Sequence, residues 1–157
     1  MSGPVDAVVV GAGPYGLAAA ASLRQAGARV KVFGSPMSFW MGHMPRGMRL
    51  RSLWDASHIG DPEGAHSLEV FERARGQRLA RPIPIDDFIA YGQWFQERAV
   101  PDVDPRRVVH IQPSERGFVV SLEDGDRLES RRVVVAAGIS TFAVGPPQFD
   151  GIPPDLA

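Results

Sequence analysis

The stretch Asp6-Ala7-Val8-Val9-Val10-Gly11-Ala12-Gly13-Pro14-Tyr15-Gly16-Leu17 decides the fold. It is an apolar strand that runs directly into the pattern G-x-G-x-x-G. Gly11 allows a sharp turn off the strand, Gly13 lets a pyrophosphate approach the backbone, and Gly16 lets the next helix pack close to the sheet. The N-terminus of that helix offers free N–H groups and a positive dipole end, so it is predicted to hold phosphates.

The residues that follow supply the rest of a β–α–β unit. An alanine-rich helix is predicted over 17–26, and Gly27 ends it. A second apolar strand is predicted over 29–33. An ordinary glycine-rich turn is the alternative, but it does not explain three glycines at this spacing, so the sequence predicts dinucleotide binding.

Composition limits the class of protein. The 157 residues fit about one domain, and 44% hydrophobic with 22% charged residues is ordinary for a globular protein. The net charge of −1 does not favour a nucleic-acid or acidic membrane partner. The absence of cysteine excludes disulfides, thiolate metal sites and dithiol chemistry within this chain. No signal peptide or membrane span is predicted, so the cytoplasm is the expected location.

The middle of the chain is predicted to be a loop-rich, partly helical insertion. Residues 34–81 are irregular and are interpreted as loop with short helical pieces, one of them at 67–74. Prolines make 82–85 extended. Asp86 and Asp87 are then candidate N-caps for a helix that ends at about Ala99. Its apolar positions Phe88, Tyr91, Phe95 and Ala99 repeat at helical spacing. The three aromatic residues among them are interpreted as core.

The second half is predicted to be strands. Three short strands, the last two joined by a tight Asp-Gly turn at Asp124-Gly125, precede a buried strand of the parallel type. Their predicted ranges are 107–112, 118–122, 127–130 and 132–138. The predicted class is therefore α/β: a Rossmann-like parallel sheet with a β–α–β N-terminus, an insertion at about 35–105, and a β-hairpin meander before the last parallel strand.

The arrangement of motifs resembles the FAD-binding segment of flavoproteins with two dinucleotide-binding domains. Val135-Ala136-Ala137-Gly138 is similar to their second fingerprint, A-T-G, with Ala137 in place of threonine. A proline-rich exit follows at 145–153. The resemblance covers nearly the whole chain and implies one FAD-binding domain over 1–157, with an NADPH domain expected beyond 157 and absent here.

The segment after the second strand resembles class B flavin monooxygenases, most of all the branch of ornithine and lysine N-hydroxylases and their bacterial relatives. The residues that carry the likeness are Phe39-Trp40, 44–52 and, after a loop, 84–95. By this resemblance Trp40 packs near the flavin, and Met48 and Arg49 replace a Met-Gln pair at the isoalloxazine edge. An arginine there would stabilise anionic reduced flavin. Core packing for Trp40 and Met48, and a structural role for Arg49, are the alternatives.

The acid that usually ends the second strand and binds a ribose hydroxyl is missing. Gly34 stands at that position, so Ser35 or the backbone would have to supply the hydrogen bond. Loss of the acid also removes repulsion against a 2′-phosphate. With Lys31 nearby, NADP at this position is therefore an alternative to FAD.

The predicted cofactor-binding residues are Gly11, Ala12, Gly13, Pro14, Tyr15, Gly16, Gly34, Ser35, Trp40, Met48, Arg49, Val108, Val109, Ala136, Ala137 and Gly138. No catalytic residue is predicted. The four histidines lack metal-ligand spacing, so no metal site is predicted either. Among them His58 could line a pocket, although a surface or structural position is favoured.

The resemblance implies the FAD-binding part of an NADPH-driven flavin monooxygenase or related oxidoreductase acting on a small molecule of unknown identity. A thioredoxin-reductase-like enzyme that does not transfer oxygen and a non-catalytic FAD- or NADP-binding domain are the alternatives. Alone, the chain is expected to bind FAD but not to complete turnover. The expected protein partner is a second copy or a C-terminal half, with no nucleic acid and no membrane.

Overall fold

The computed structural model describes residues 5–140, 144 and 147–149. Within these residues, strands, α-helices and two short 3₁₀ helices alternate along the chain. In order they are β1 Ala7–Val10, α1 Pro14–Gln25, β2 Val30–Phe33, α2 Ser38–His43, a 3₁₀ turn Asp55–Ser57, α3 Leu68–Arg75, α4 Ile85–Ala99, β3 Val108–Ser114, β4 Gly117–Leu122, β5 Arg127–Ser130, β6 Val133–Val135 and a 3₁₀ turn Pro147–Phe149.

Two three-stranded sheets form the frame, and they confirm the predicted α/β class. The first is parallel with the order β2-β1-β6, and β1 pairs with β2 from Ala7↔Val30 to Val10↔Phe33. The second is the antiparallel meander β3-β4-β5. The predicted Asp-Gly turn joins β4 to β5, with Gly125 at a φ of +93°.

The main core lies between the parallel sheet and the helices. Side chains of β1, β2 and α1, such as Val9, Val32 and Leu17, belong to the same buried cluster as the inner face of α4. On that face Phe88, Tyr91 and Phe95 are buried, which confirms the core predicted from their spacing. A smaller cluster fills the space between β1 and the antiparallel sheet.

The insertion contains three α-helices, of which two were predicted. Ser67 caps α3, where its side chain accepts a hydrogen bond from the N–H of Val70 (3.4 Å). The interpretation of Asp86 and Asp87 as N-caps is wrong. Helix α4 begins at Ile85, and the two acids lie in its first turn. Helix α2 occupies part of a segment predicted to be irregular.

The last parallel strand is shorter than predicted. β6 ends at Val135, and the Ala136 N–H then donates to the Val10 carbonyl (2.8 Å). The proline-rich exit predicted at 145–153 lies outside the described residues except for 147–149. In the part of the chain that the structure describes, no helix is long and apolar enough to cross a membrane.

Candidate dinucleotide site

Two glycines of the first motif are required by close backbone packing. Gly11 has a φ of +106°, and a Cβ placed on it would lie 2.2 Å from the Ala136 carbonyl oxygen. A Cβ on Gly16 would lie 1.9 Å from the Gly11 carbonyl oxygen. A side chain at Gly11 would therefore collide with the backbone after β6, and a side chain at Gly16 would collide with the backbone of the β1–α1 turn.

Gly13 is different, because a Cβ on it would meet nothing within 4 Å. It is the N-cap of α1 at φ −78° and ψ −178°, a conformation open to any residue. No side chain caps α1, and its first turn carries no acidic residue, so the positive end of the helix dipole is not neutralised from within the helix. Protein packing therefore does not require a glycine at position 13. A ligand that approaches the backbone closely would require one.

A cavity of about 480 Å³ opens over this turn. We call it the loop cavity; its walls are residues 11–15, 38–40 and 134–139. A helix N-terminus, a bare glycine and small residues at 136–138 meet in this space. Such a combination suits a phosphate-bearing ligand that must pass close to the backbone.

A second cavity of about 710 Å³ adjoins the first. We call it the arginine cavity; its walls are Pro14, Tyr15, Ala18, Trp40, Met44, residues 48–52, residues 56–60 and Phe88. The two cavities share Pro14, Tyr15 and Trp40, so they are neighbouring parts of one cleft. Trp40 is held in this shared wall by packing on Phe88, with ring centroids 4.8 Å apart.

The structure brings most of the predicted cofactor-binding residues to this cleft. Those in the loop cavity are Gly11, Ala12, Gly13, Pro14, Tyr15, Trp40, Ala136, Ala137 and Gly138; those in the arginine cavity include Met48 and Arg49. Gly16 lies directly behind the turn. Val108 packs in the smaller core cluster with Phe33, and Val109 is exposed on β3. Neither valine lines either cavity.

At Gly34, where an acidic residue usually ends the second strand, the backbone conformation disfavours any residue with a side chain. Gly34 has a φ of +122°, a conformation that residues with a side chain rarely adopt. Its N–H donates to the Asp104 carbonyl (2.8 Å), and the Asp104 N–H donates to the Val32 carbonyl (2.9 Å). Gly34 and Ser35 therefore lie at the edge of the glycine turn rather than in either cavity.

Asp104, which sequence reasoning missed, places a carboxylate beside the end of β2. Arg106 Nε and Nη2 donate to its two carboxylate oxygens, at 3.0 and 2.7 Å. Those hydrogen bonds hold the pKa of Asp104 below its ordinary value, and the charge of Lys31 contributes to the shift. Partial burial acts to raise the pKa of Asp102, but the hydrogen bond from Arg24 lowers it below its ordinary value, and the charge of Lys31 adds to that lowering. The charge of Lys31 therefore acts on two carboxylates near the end of β2.

The wall of the arginine cavity near His58 is fixed by hydrogen bonds. His58 Nδ1 accepts from the Leu68 N–H (3.1 Å), so the neutral ring carries its proton on Nε2. Nε2 lies 3.8 Å from a Glu69 carboxylate oxygen, and the Trp54 indole N–H donates to that same oxygen. The indole hydrogen bond lowers the pKa of Glu69 to about 2. His58 thus lines the cavity and also has a structural role, which agrees with the structural reading offered from sequence.

Tyr91 ties the same wall to the core. Its hydroxyl accepts from the Ile59 N–H (3.2 Å) and donates to the His66 carbonyl (2.9 Å). Burial raises the pKa of Tyr91 to about 12, so the hydroxyl stays protonated. One core side chain therefore positions the loop that closes the cavity.

Comparison with known proteins identifies the family to which this chain belongs. The model of the pyridine nucleotide-disulphide oxidoreductase family matches residues 5–152. The chain belongs to this family. This pyridine nucleotide-disulphide oxidoreductase domain contains no cysteine, so any disulphide chemistry would need residues outside the given sequence. The predicted class, an oxidoreductase with a dinucleotide-binding fold, is confirmed.

Solved structures share the fold of this oxidoreductase domain. Bacillithiol disulfide reductase from Staphylococcus aureus matches with a TM-score of 0.70 and 18% identity, over 87% of this chain and 39% of its own. A flavin-containing monooxygenase from Stenotrophomonas maltophilia matches with a TM-score of 0.70 and 24% identity, over 87% of this chain and 39% of its own. OTEMO, in complex with FAD and NADP, matches with a TM-score of 0.71 and 21% identity, over 93% of this chain and 28% of its own. The domain thus spans about a third of the length of these proteins. No curated protein matches the sequence.

Proposed function

We propose that this chain binds FAD and forms the flavin-binding part of an NADPH-driven oxidoreductase of the class B monooxygenase type. The observation that carries the proposal is Gly13, where an uncapped helix N-terminus faces a space that a single Cβ would enter. The small residues at 136–138 on the opposite wall leave room for a cofactor passing close to β6. OTEMO, which has this fold, is solved with FAD and NADP.

The chain's own residues would position the cofactor in two ways. The turn at 11–16 and the start of α1 would bind the diphosphate through backbone N–H groups and the helix dipole. Trp40, fixed against Phe88 between the two cavities, would limit where the flavin ring can lie. The bound flavin supplies the redox chemistry, and the protein supplies its position and electrostatic environment.

Arg49 is proposed to favour the reduced, anionic flavin. Arg49 lines the arginine cavity, and its Nη1 donates to the Pro82 carbonyl (2.9 Å), which fixes the position of the charge. A fixed positive charge near a ring that gains negative charge raises the reduction potential. Arg49→Ala is expected to lower the potential of bound FAD or to weaken FAD binding. An unchanged potential together with unchanged affinity contradicts this role.

The test of FAD binding compares FAD with FMN, which has the same ring system but lacks the diphosphate bridge and the adenosine. Two hydrogen bonds from backbone N–H groups to a charged diphosphate are together worth about 3 kcal/mol or more, so FAD should bind at least about 100-fold more tightly than FMN. Equal affinity for the two flavins in an equilibrium titration contradicts the proposal.

A reductase that does not transfer oxygen is the second candidate, favoured by the fold shared with bacillithiol disulfide reductase. The two candidates differ in the fate of oxygen. In the complete natural protein supplied with NADPH, a monooxygenase places one atom of ¹⁸O₂ in its product. A reductase transfers the same electrons to another acceptor and leaves the product unlabelled.

A further inference from the structure

The arginine cavity carries two positive charges on one face of an extended segment. Leu50 donates its N–H to the Ile83 carbonyl (2.8 Å), and the Ile85 N–H donates to the Met48 carbonyl (2.9 Å), so residues 48–50 run beside 83–85 as a short antiparallel pair. The Leu50 side chain is buried in the core. Because side chains alternate in an extended chain, Arg49 and Arg51 share one face of this segment, and Leu50 between them also contributes to the cavity wall. Both arginines line the cavity.

These charges have no counter-charge in the cavity. The described lining includes Arg49, Arg51 and His58 but no aspartate or glutamate. Among the described residues, neither guanidinium lies within 4.0 Å of a carboxylate oxygen, and Arg51 has no side-chain hydrogen bond. Residues two apart in an extended chain are separated by roughly 6.5 Å, so the two like charges reinforce one another and attract an anion.

The rest of the lining is mainly apolar. Its lining residues include Trp40, Met44, Met48 and Phe88, and Ile59 lies on the wall that Tyr91 holds in place. A volume of about 710 Å³ is within the usual range for small-molecule sites. The cavity thus combines an apolar body with a cationic edge, which is complementary to an amphipathic anion rather than to a free inorganic ion.

We propose that Arg51 binds the carboxylate of an organic acid whose apolar body occupies the arginine cavity. A guanidinium matches a carboxylate in planarity and can form two parallel hydrogen bonds with it. His58, whose Nδ1 accepts a hydrogen bond from the Leu68 N–H, adds a polar side chain to the wall. The inference rests on the proposed function, because it assigns a substrate class to the cavity that adjoins the proposed flavin site.

The experiment compares 4-phenylbutyrate with its neutral amide, 4-phenylbutanamide, as ligands of the FAD-loaded chain by isothermal titration calorimetry. The acid should bind at least about tenfold more tightly than the amide, a difference of about 1.4 kcal/mol. Arg51→Gln should remove that preference. Arg127→Gln, the same change at an exposed arginine on β5, should keep it. Equal affinity for acid and amide, no detectable binding of the acid at millimolar concentration, or a preference that survives Arg51→Gln overturns the proposal.

A second arm distinguishes a substrate carboxylate from a nucleotide phosphate. If NADP⁺ binds in an Arg51-dependent way while acid and amide bind equally, the cationic edge recognises phosphate and the carboxylate proposal is wrong. Flavin absorbance is recorded for every sample, since Arg51→Gln should leave FAD loading unchanged. Failure of the wild-type chain to load FAD contradicts the proposed function. The preference for acid over amide is then measured on the flavin-free chain, so the two failures remain distinct.

Discussion

Replacement of Gly13 by valine should abolish FAD binding and leave the fold intact. A Cβ at this position meets no protein atom within 4 Å, and the backbone angles suit a β-branched residue. Loss of a glycine at an N-cap costs no more than about 1 kcal/mol. The new side chain would instead occupy the space that we assign to the diphosphate.

The expected loss of affinity follows from the contacts that would be blocked. Two hydrogen bonds to a charged diphosphate are worth about 1.5–3 kcal/mol each, which gives about 3–6 kcal/mol in total. The FAD dissociation constant should therefore rise about 100-fold to 10,000-fold. It is measured by fluorescence titration, and urea unfolding of the same samples gives the stability.

Two further variants make this result specific. Gly42→Val introduces the same side chain at a glycine whose Cβ also meets nothing within 4 Å, and it should leave both FAD affinity and stability unchanged. Gly16→Ala, unlike Gly13→Val, should destabilise the fold itself. Its Cβ would overlap the Gly11 carbonyl oxygen, which should lower the unfolding free energy by about 1–3 kcal/mol or more. Normal FAD affinity in Gly13→Val refutes the reasoning.

Three other predictions concern stability. Gly92→Ala should destabilise the protein to urea by about 1–3 kcal/mol, because its Cβ would lie 2.4 Å from Sδ of the fully buried Met37. Tyr91→Phe should cost about 2 kcal/mol in urea unfolding, because two backbone groups lose their hydroxyl partner. Trp54→Phe should weaken the pH dependence of the unfolding free energy below pH 5. The folded-state pKa of Glu69, about 2, lies under its ordinary 4.5, so this stabilisation is full above about 4.5 and is lost as pH falls towards 2.

The controls for these variants use the same chemistry elsewhere. Tyr15→Phe removes a hydroxyl from a side chain that is 88% exposed, so its stability should not change. Trp54→Phe should change the unfolding free energy by no more than about 1 kcal/mol, because the Glu69 side chain is 46% exposed and solvent screens its carboxylate charge. Identical pH profiles for Trp54→Phe and the wild type would show that the indole does not stabilise the carboxylate. A Gly92→Ala protein as stable as the wild type would mean that the Met37 side chain can move aside.

Features that depend on local spacing were predictable from the sequence. The glycine spacing correctly placed the tight β1–α1 turn, and the structure gives Gly11 and Gly16 the close backbone contacts that the motif implies. The helical period of Phe88, Tyr91 and Phe95 correctly gave the buried face of α4. In both cases the residues that determine the structure lie within one turn or one helix.

Features that depend on distant partners were not predictable. Helix α4 begins at Ile85 because the Ile85 N–H pairs with the Met48 carbonyl, so the aspartates that follow are not needed as caps. Helix α2 starts after Met37, a non-glycine residue at φ +56° that packs against Gly92. Asp104 reaches the end of β2 through a bridge to Phe33 across 71 positions of the sequence. No local pattern signals any of these contacts.

A crystal structure of the chain with bound FAD tests the central claim most directly. We predict that the diphosphate lies in the loop cavity at the N-terminus of α1, with its oxygen atoms about 3 Å from backbone nitrogen atoms of the turn at 11–16. Electron density for the diphosphate elsewhere on the protein, with only solvent at the N-terminus of α1, would contradict the account.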